Sequence, residues 1–230
     1  MRDISPFIYT EKIIEMYTWW DFSKRFGHLS GEIAVYDFSV PEDQHTAPVK
    51  KVMMTYDTLF NADTSKFSYM LKTSDSPLTK YIQPLTDGYE NVYDILLRIQ
   101  TNPWRFSTHF DTYDQTILML DGVKRWIFFR KTFETIEEEK SFVKHVNGMK
   151  FEQLESYLKS KNIPYHLKTT RGGDRFFIPK GMYHAVENVN EGKGTIFANI
   201  IHEGFVQNLD ERFREIWPIV SDNCDKGVFY

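Results

Sequence analysis

Two apolar runs rich in β-branched and aromatic residues, QTILML over 115–120 and VKRWIFF over 123–129, are separated only by Asp121-Gly122. Val, Ile, Phe and Trp suit a pleated, packed surface. Asp-Gly is a favoured type I′ pair, because both residues tolerate positive φ. The pattern therefore predicts an antiparallel β-hairpin, with Leu120 opposite Val123 and Met119 opposite Lys124. Alternation along the two runs then puts Gln115, Ile117, Met119, Lys124, Trp126 and Phe128 on one face.

The remainder of the sequence agrees with a β-rich fold. Aromatic residues make up 16% of the chain, which favours sheet over a helical bundle. Strand character is read over 31–39, 67–72, 94–100, 166–171, 175–178 and 195–201, and Asn102-Pro103 closes the third of these with a turn. Residues 52–60 read as helix or strand. Helical patterns cover 11–26, 133–147, 150–162 and 207–217, with Gly148 and Pro164 as stops. The order is mixed, then β, then a helical excursion, then β again. It implies an antiparallel barrel or sandwich with helices attached, not a βαβ repeat. Without internal repeats or a Gly/Ser linker, the 230 residues read as a single domain.

The formal net charge is −4 with no run of Lys or Arg, which argues against a dedicated nucleic-acid binder. Cys224 is the only cysteine, so the chain can form no internal disulfide, and a reducing compartment is expected. The N-terminus carries no apolar leader, and no stretch approaches a membrane span. The expectation is a cytoplasmic protein, with the nucleus as an alternative, and no membrane partner.

Three features carry chemistry. In His109-Phe110-Asp111, two residues apart on a strand, the imidazole and the carboxylate would share a face roughly 7 Å apart at the Cα atoms. Alone the pair is a weak signal, since an isolated match is far more often a surface His beside a solvated Asp. In the segment Arg171 to His184, a Gly-Gly-Asp turn, a short apolar strand and a Pro/Gly turn lead to His184 at the start of the next strand. Two His and one carboxylate on one side of an ion leave open positions for a 2-oxo acid and O2 on Fe(II), and Zn(II) would accept the same donors. Lys124 is the third feature. Strand parity places it among Ile, Met, Trp and Phe, where an ammonium needs an anionic partner or loses its proton. A ligand carboxylate would fill that role; the alternative is a lysine that snorkels to a rim.

Two segments, Ser107 to Trp126 and Gly173 to His184, together resemble the JmjC/cupin-8 group of Fe(II)/2-oxoglutarate oxygenases. The motifs are His109-x-Asp111, Gly122-x-Lys124-Arg125 and G-D-x-x-F-I-P-x-G-x-x-H ending at His184. Within the group, the small hydroxylases similar to the asparaginyl hydroxylase of hypoxia signalling and to the tRNA wybutosine hydroxylase share most with this chain. The resemblance covers roughly residues 50–203, including MTYDTLF and FSYMLK as the lead-in. It implies a mainly β, double-stranded β-helix (jelly-roll or cupin barrel) with flanking α-helices. The domain would span 1–230, with its core at about 50–203, an N-terminal extension and a short C-terminal helix.

The resemblance also implies roles. His109, Asp111 and His184 would bind Fe(II), and Lys124 would grip the distal carboxylate of 2-oxoglutarate. Thr108, Gln115, Asn199 and Tyr69 would line the co-substrate site. Tyr69 reads equally as a strand aromatic of the core, and Asn199 as a buried amide. Phe106 stands where other members have a hydroxyl residue. The implied reaction consumes 2-oxoglutarate and O2, releases succinate and CO2, and hydroxylates a C–H bond; on an N-methyl group it ends in demethylation. A protein side chain is the first substrate class expected, and a modified nucleoside of RNA the second. A reading from another class is a non-catalytic or 2-oxoglutarate-independent cupin binding module.

Overall fold

The computed structural model describes residues 8–9, 17–37, 50–65, 67–74, 76–189, 192–202 and 215–216. Four strands precede the central part of the chain: β1 (Ile8–Tyr9), β2 (Ser30–Asp37), β3 (Lys50–Thr55) and β4 (Phe67–Thr73). Between them lie α1 (Trp19–Phe26) and α2 (Tyr56–Phe60), and α3 (Pro77–Thr86) follows. Eight further strands complete the fold: β5 (Val92–Thr101), β6 (Arg105–His109), β7 (Gln115–Asp121), β8 (Val123–Phe129), β9 (Tyr165–Arg171), β10 (Arg175–Ile178), β11 (Tyr183–Asn188) and β12 (Gly194–His202). Helices α4 (Ile136–Val146) and α5 (Phe151–Ser160) are inserted between β8 and β9.

The strands form two antiparallel sheets, in the orders β1-β10-β7-β12-β5-β4-β2-β3 and β6-β11-β8-β9. From β5 onward each strand passes to the other sheet, except from β8 to β9, where the helical pair intervenes. This alternation is the double-stranded β-helix, so the fold is mainly β and of jelly-roll type, as expected. Its eight strands run from Val92 to His202, and β2, β3 and β4 widen the larger sheet beyond them.

The expected hairpin does not form. β7 lies in the larger sheet between β10 and β12, and β8 lies in the smaller between β11 and β9. Met119 is opposite Phe197, and Lys124 is opposite Asn188 and Thr170. Asp121-Gly122 is a corner that carries the chain from one sheet to the other. Only Gly122 has positive φ, at 81°, so the turn is not type I′, which needs both residues there. A Cβ on Gly122 would run into the carbonyl of Gly194, so the corner is closed against the start of β12. The Asp121 carboxylate accepts from the backbone N–H of Gly122 and from that of Trp19, tying the corner to the start of α1. The buried face nonetheless follows the sequence pattern, because alternation within each strand does not depend on which strand is its neighbour. Ile117, Met119, Trp126 and Phe128 meet Phe176, Ile178, Met182, Val186 and Phe197 between the sheets.

Two outer cores complete the layers. Phe22, Leu59, Leu78 and Ile82 of α1, α2 and α3 cover Leu71, Leu97, Ile99 and Ile196 on the outer face of the larger sheet. Phe142, Val143, Leu154 and Leu158 of α4 and α5 cover Ile127, Phe129, Tyr183 and Ala185 on the outer face of the smaller. Helix α3 has a sequence signal of its own, Ser76 as N-cap accepting from Leu78 and Thr79, with Pro77 in the first turn. Helix α1 begins at Trp19, capped by Thr18, so the expected helix over 11–26 is shorter at its start, and 11–16 lie outside the described residues. Of the expected helix at 207–217, only 215–216 are described, as helix. No helix among the described residues is long and apolar enough to cross a membrane.

Candidate metal centre

His109 ends β6 and His184 is the second residue of β11, directly opposite it in register. Their rings stand 4.2 Å apart between centroids. Between His184 and Val186 the pairing with β6 shifts by a residue, so Phe106 and His109, three apart, both find partners on the inward side of β11. Asp111 lies just beyond β6, and its Oδ2 is 3.6 Å from Nε2 of His184. One donor atom from each of His109, Asp111 and His184 falls within 4.8 Å of the others, the one such group among the described residues.

Two turns hold these donors together. The N–H of Gly181 donates to the carbonyl of Asp111, and that of Lys180 donates to Asp114 Oδ1 at 2.8 Å. Pro179 to Met182 closes a turn through Met182 N–H to Pro179 O, with Gly181 at φ 71°. A glycine suits that third position of a type II turn. The carbonyl of Met182 then accepts from Nδ1–H of His184 at 3.0 Å. That bond leaves Nε2, on the side of Asp111, as the unprotonated donor a metal requires.

Gln115 and Asn199 stand behind Asp111. A carboxylate only accepts, so Gln115 presents its Nε2 to Asp111 Oδ2 and turns Oε1 to Asn199, whose Nδ2 donates at 2.6 Å. Asn199 Oδ1 and Thr108 Oγ1 are buried with no hydrogen-bond partner among the described residues. Phe106 flanks His109, and Trp126 and Phe128 flank His184, with ring centroids about 6 Å away.

Lys124 does not snorkel. It is fully buried, with Nζ 4.4 Å from the ring centre of Phe197, donating to Gln100 Oε1 at 2.6 Å and to Asn188 Oδ1 at 2.8 Å. Both acceptors are neutral. Burial first, and then the charge of Arg98, push the amino group well below the ordinary lysine range. Sequence reasoning missed Gln100, Asn188 and Arg98. Asn188 had a signal, since its even offset from His184 puts it on the same face of β11.

Tyr69 is not brought to this site. Met70, its neighbour on β4, lies between the sheets beside Gln100, so Tyr69 points the other way and packs under the helices on the outer face. The expected contact with a co-substrate fails on strand parity.

The donor set suits a divalent ion. Two imidazoles and a carboxylate, with one tautomer fixed and the carboxylate oriented from behind, are the ligands of non-haem Fe(II) sites that keep open positions. Donors about 2.1 Å from one ion lie about 3–4 Å apart, so the observed spacing needs only small side-chain adjustment.

No curated protein matches the sequence. The sequence model of the JmjC domain matches residues 91–202, the stretch from the start of β5 to the end of β12. The matched stretch carries the whole β-helix and all three triad members, and its likeness to the JmjC domain is consistent with a JmjC/cupin-type family.

Proposed function

We propose that the chain is an Fe(II)- and 2-oxoglutarate-dependent oxygenase that hydroxylates a protein side chain. The observation that carries this reading is the pairing of a His-Asp-His triad with a fully buried lysine that has no carboxylate partner among the described residues, in one slot between the sheets. A binding module needs neither. JmjC domains generally belong to oxygenases and demethylases, which agrees.

When bound, Fe(II) with 2-oxoglutarate and O2 supplies oxidative decarboxylation to succinate and CO2, coupled to oxygenation of a nearby C–H bond. The protein's part is placement. His109, Asp111 and His184 hold the ion on one side. Gln115, itself held by Asn199, turns the Asp111 carboxylate. Lys124 offers a positive end for the far carboxylate of the co-substrate, and Phe106, Trp126 and Phe128 flank the two imidazoles. The net charge of −4 and the lack of a basic run favour a protein substrate over RNA.

Titration of 2-oxoglutarate into anaerobic, Mn(II)-loaded protein tests the reading. Binding is expected to require the metal, and Asp111→Ala is expected to weaken Mn(II) by more than about a hundredfold with the fold intact. Metal-independent binding, or none, would leave a 2-oxoglutarate-independent cupin.

A further inference from the structure

Arg98 lies on β5, two residues before Gln100 on the same inward face, roughly 7 Å from it at the Cα atoms. Gln100 is the acceptor of Lys124. Across the ladder Arg98 is opposite Phe197, whose ring lies against Lys124 Nζ, and the next inward residue, Leu96, is opposite Asn199. Arg98 therefore stands on the floor of the slot between its lysine end and the amide pair behind Asp111. Its guanidinium is 5.9 Å from the centre of Phe106, the aromatic that also flanks His109.

Its surroundings are short of acceptors. Nε of Arg98 is buried and donates to nothing among the described residues, and no carboxylate there pairs with the guanidinium. Nδ2 of Asn188 is also buried without an acceptor, and Lys124 has a third N–H beyond the two that meet Gln100 and Asn188. Two cations that repel each other in a poorly solvated slot, surrounded by spare donors, are complementary to one anion with several lone pairs. A guanidinium fork matches a carboxylate in shape as well as charge.

We infer that Arg98 is a second cation on the distal carboxylate of 2-oxoglutarate, sharing it with Lys124. This rests on the proposed function, and it adds a residue that the triad and the lysine do not imply. The co-substrate end of the site is then a two-cation clamp, and selectivity for a dicarboxylate over a 2-oxo acid without the distal group resides in both residues.

The test compares two ligands on anaerobic, Mn(II)-loaded protein by calorimetry: 2-oxoglutarate and 2-oxobutyrate, which has the chelating end only. Arg98→Gln is expected to weaken 2-oxoglutarate by about tenfold or more and to change 2-oxobutyrate by less than about twofold. Arg98→Lys is expected to recover part of the loss. An equal loss for both ligands, or no loss for either, overturns the inference. If wild-type protein fails to bind 2-oxoglutarate at all, the proposed function falls and this inference with it; if wild-type protein binds and Arg98→Gln binds equally well, only the inference falls.

Discussion

Lys124 is costly to the ligand-free fold. Its ammonium is fully buried beside two amides and near Arg98, and the folded protein holds that proton more weakly than the unfolded chain does. The sign follows from proton counting. The unfolded chain binds more protons wherever the pH lies between the lowered folded value and the ordinary lysine value, so this group makes stability rise with pH through that window. The penalty is complete below the folded value and gone above the unfolded one. Lys124→Met removes the charge and keeps the volume, and it is expected to stabilise the ligand-free protein by about 1–3 kcal/mol at neutral pH. The gain should shrink as the solution becomes alkaline, and 2-oxoglutarate binding should be lost. Thermal melts across pH, with a binding assay alongside, check both parts. A lower melting temperature would show that the hydrogen bonds to Gln100 and Asn188 outweigh the burial of the charge. Strand parity put Lys124 among apolar side chains, whereas the triad as a set came only from the resemblance of the two motif segments to a family. The acceptors of Lys124 were harder to see, because Gln100 comes from the opposite sheet and only the packing of the two sheets brings it near.

At the scale of elements, the corner at Asp121-Gly122 shows what local pattern can and cannot specify. Strand and turn were both legible there. Partner choice was not, because β7 and β8 are each buried almost throughout and offer a neighbour no polar face to avoid. Parity survived the error, which is why the inward set containing Lys124 and Gln115 was right while the hairpin register was wrong. The same rule explains Tyr69, where a one-residue phase difference from Met70 exchanges the slot for the helix-covered face. Helix α3 went unread although Ser76-Pro77 is a start signal, because the residues after it alternate too little to mark an element. Gly122 itself makes the corner possible. Gly122→Ala is expected to cost about 2–4 kcal/mol, from the positive φ and from the close approach of Gly194, read as a lowered denaturation midpoint. A cost below about 1 kcal/mol would mean that β12 yields easily at its start.

Over the whole molecule, the slot is shared between the sheets. The triad and Lys124 belong to the smaller sheet and its following loop; Gln115, Asn199, Gln100 and Arg98 belong to the larger. A metal with its co-substrate would therefore tie the two sheets together, whereas the metal alone would rest chiefly on one. Mn(II) with 2-oxoglutarate, each near a hundredfold its dissociation constant, is expected to raise the melting temperature by on the order of 5–10 °C. The rise should exceed the sum of the separate effects, and scanning fluorimetry with each component and with both measures it. An additive result would indicate that the co-substrate does not bridge the sheets.

The clasp between the two ligand-bearing turns bears on upkeep. Gly181 and Lys180 are bonded to Asp111 and Asp114 through backbone and side-chain groups that a metal would not use. Held this way, the two turns keep their places by protein contacts alone, so an ion bound as proposed could leave and return without the backbone of the site having to re-form.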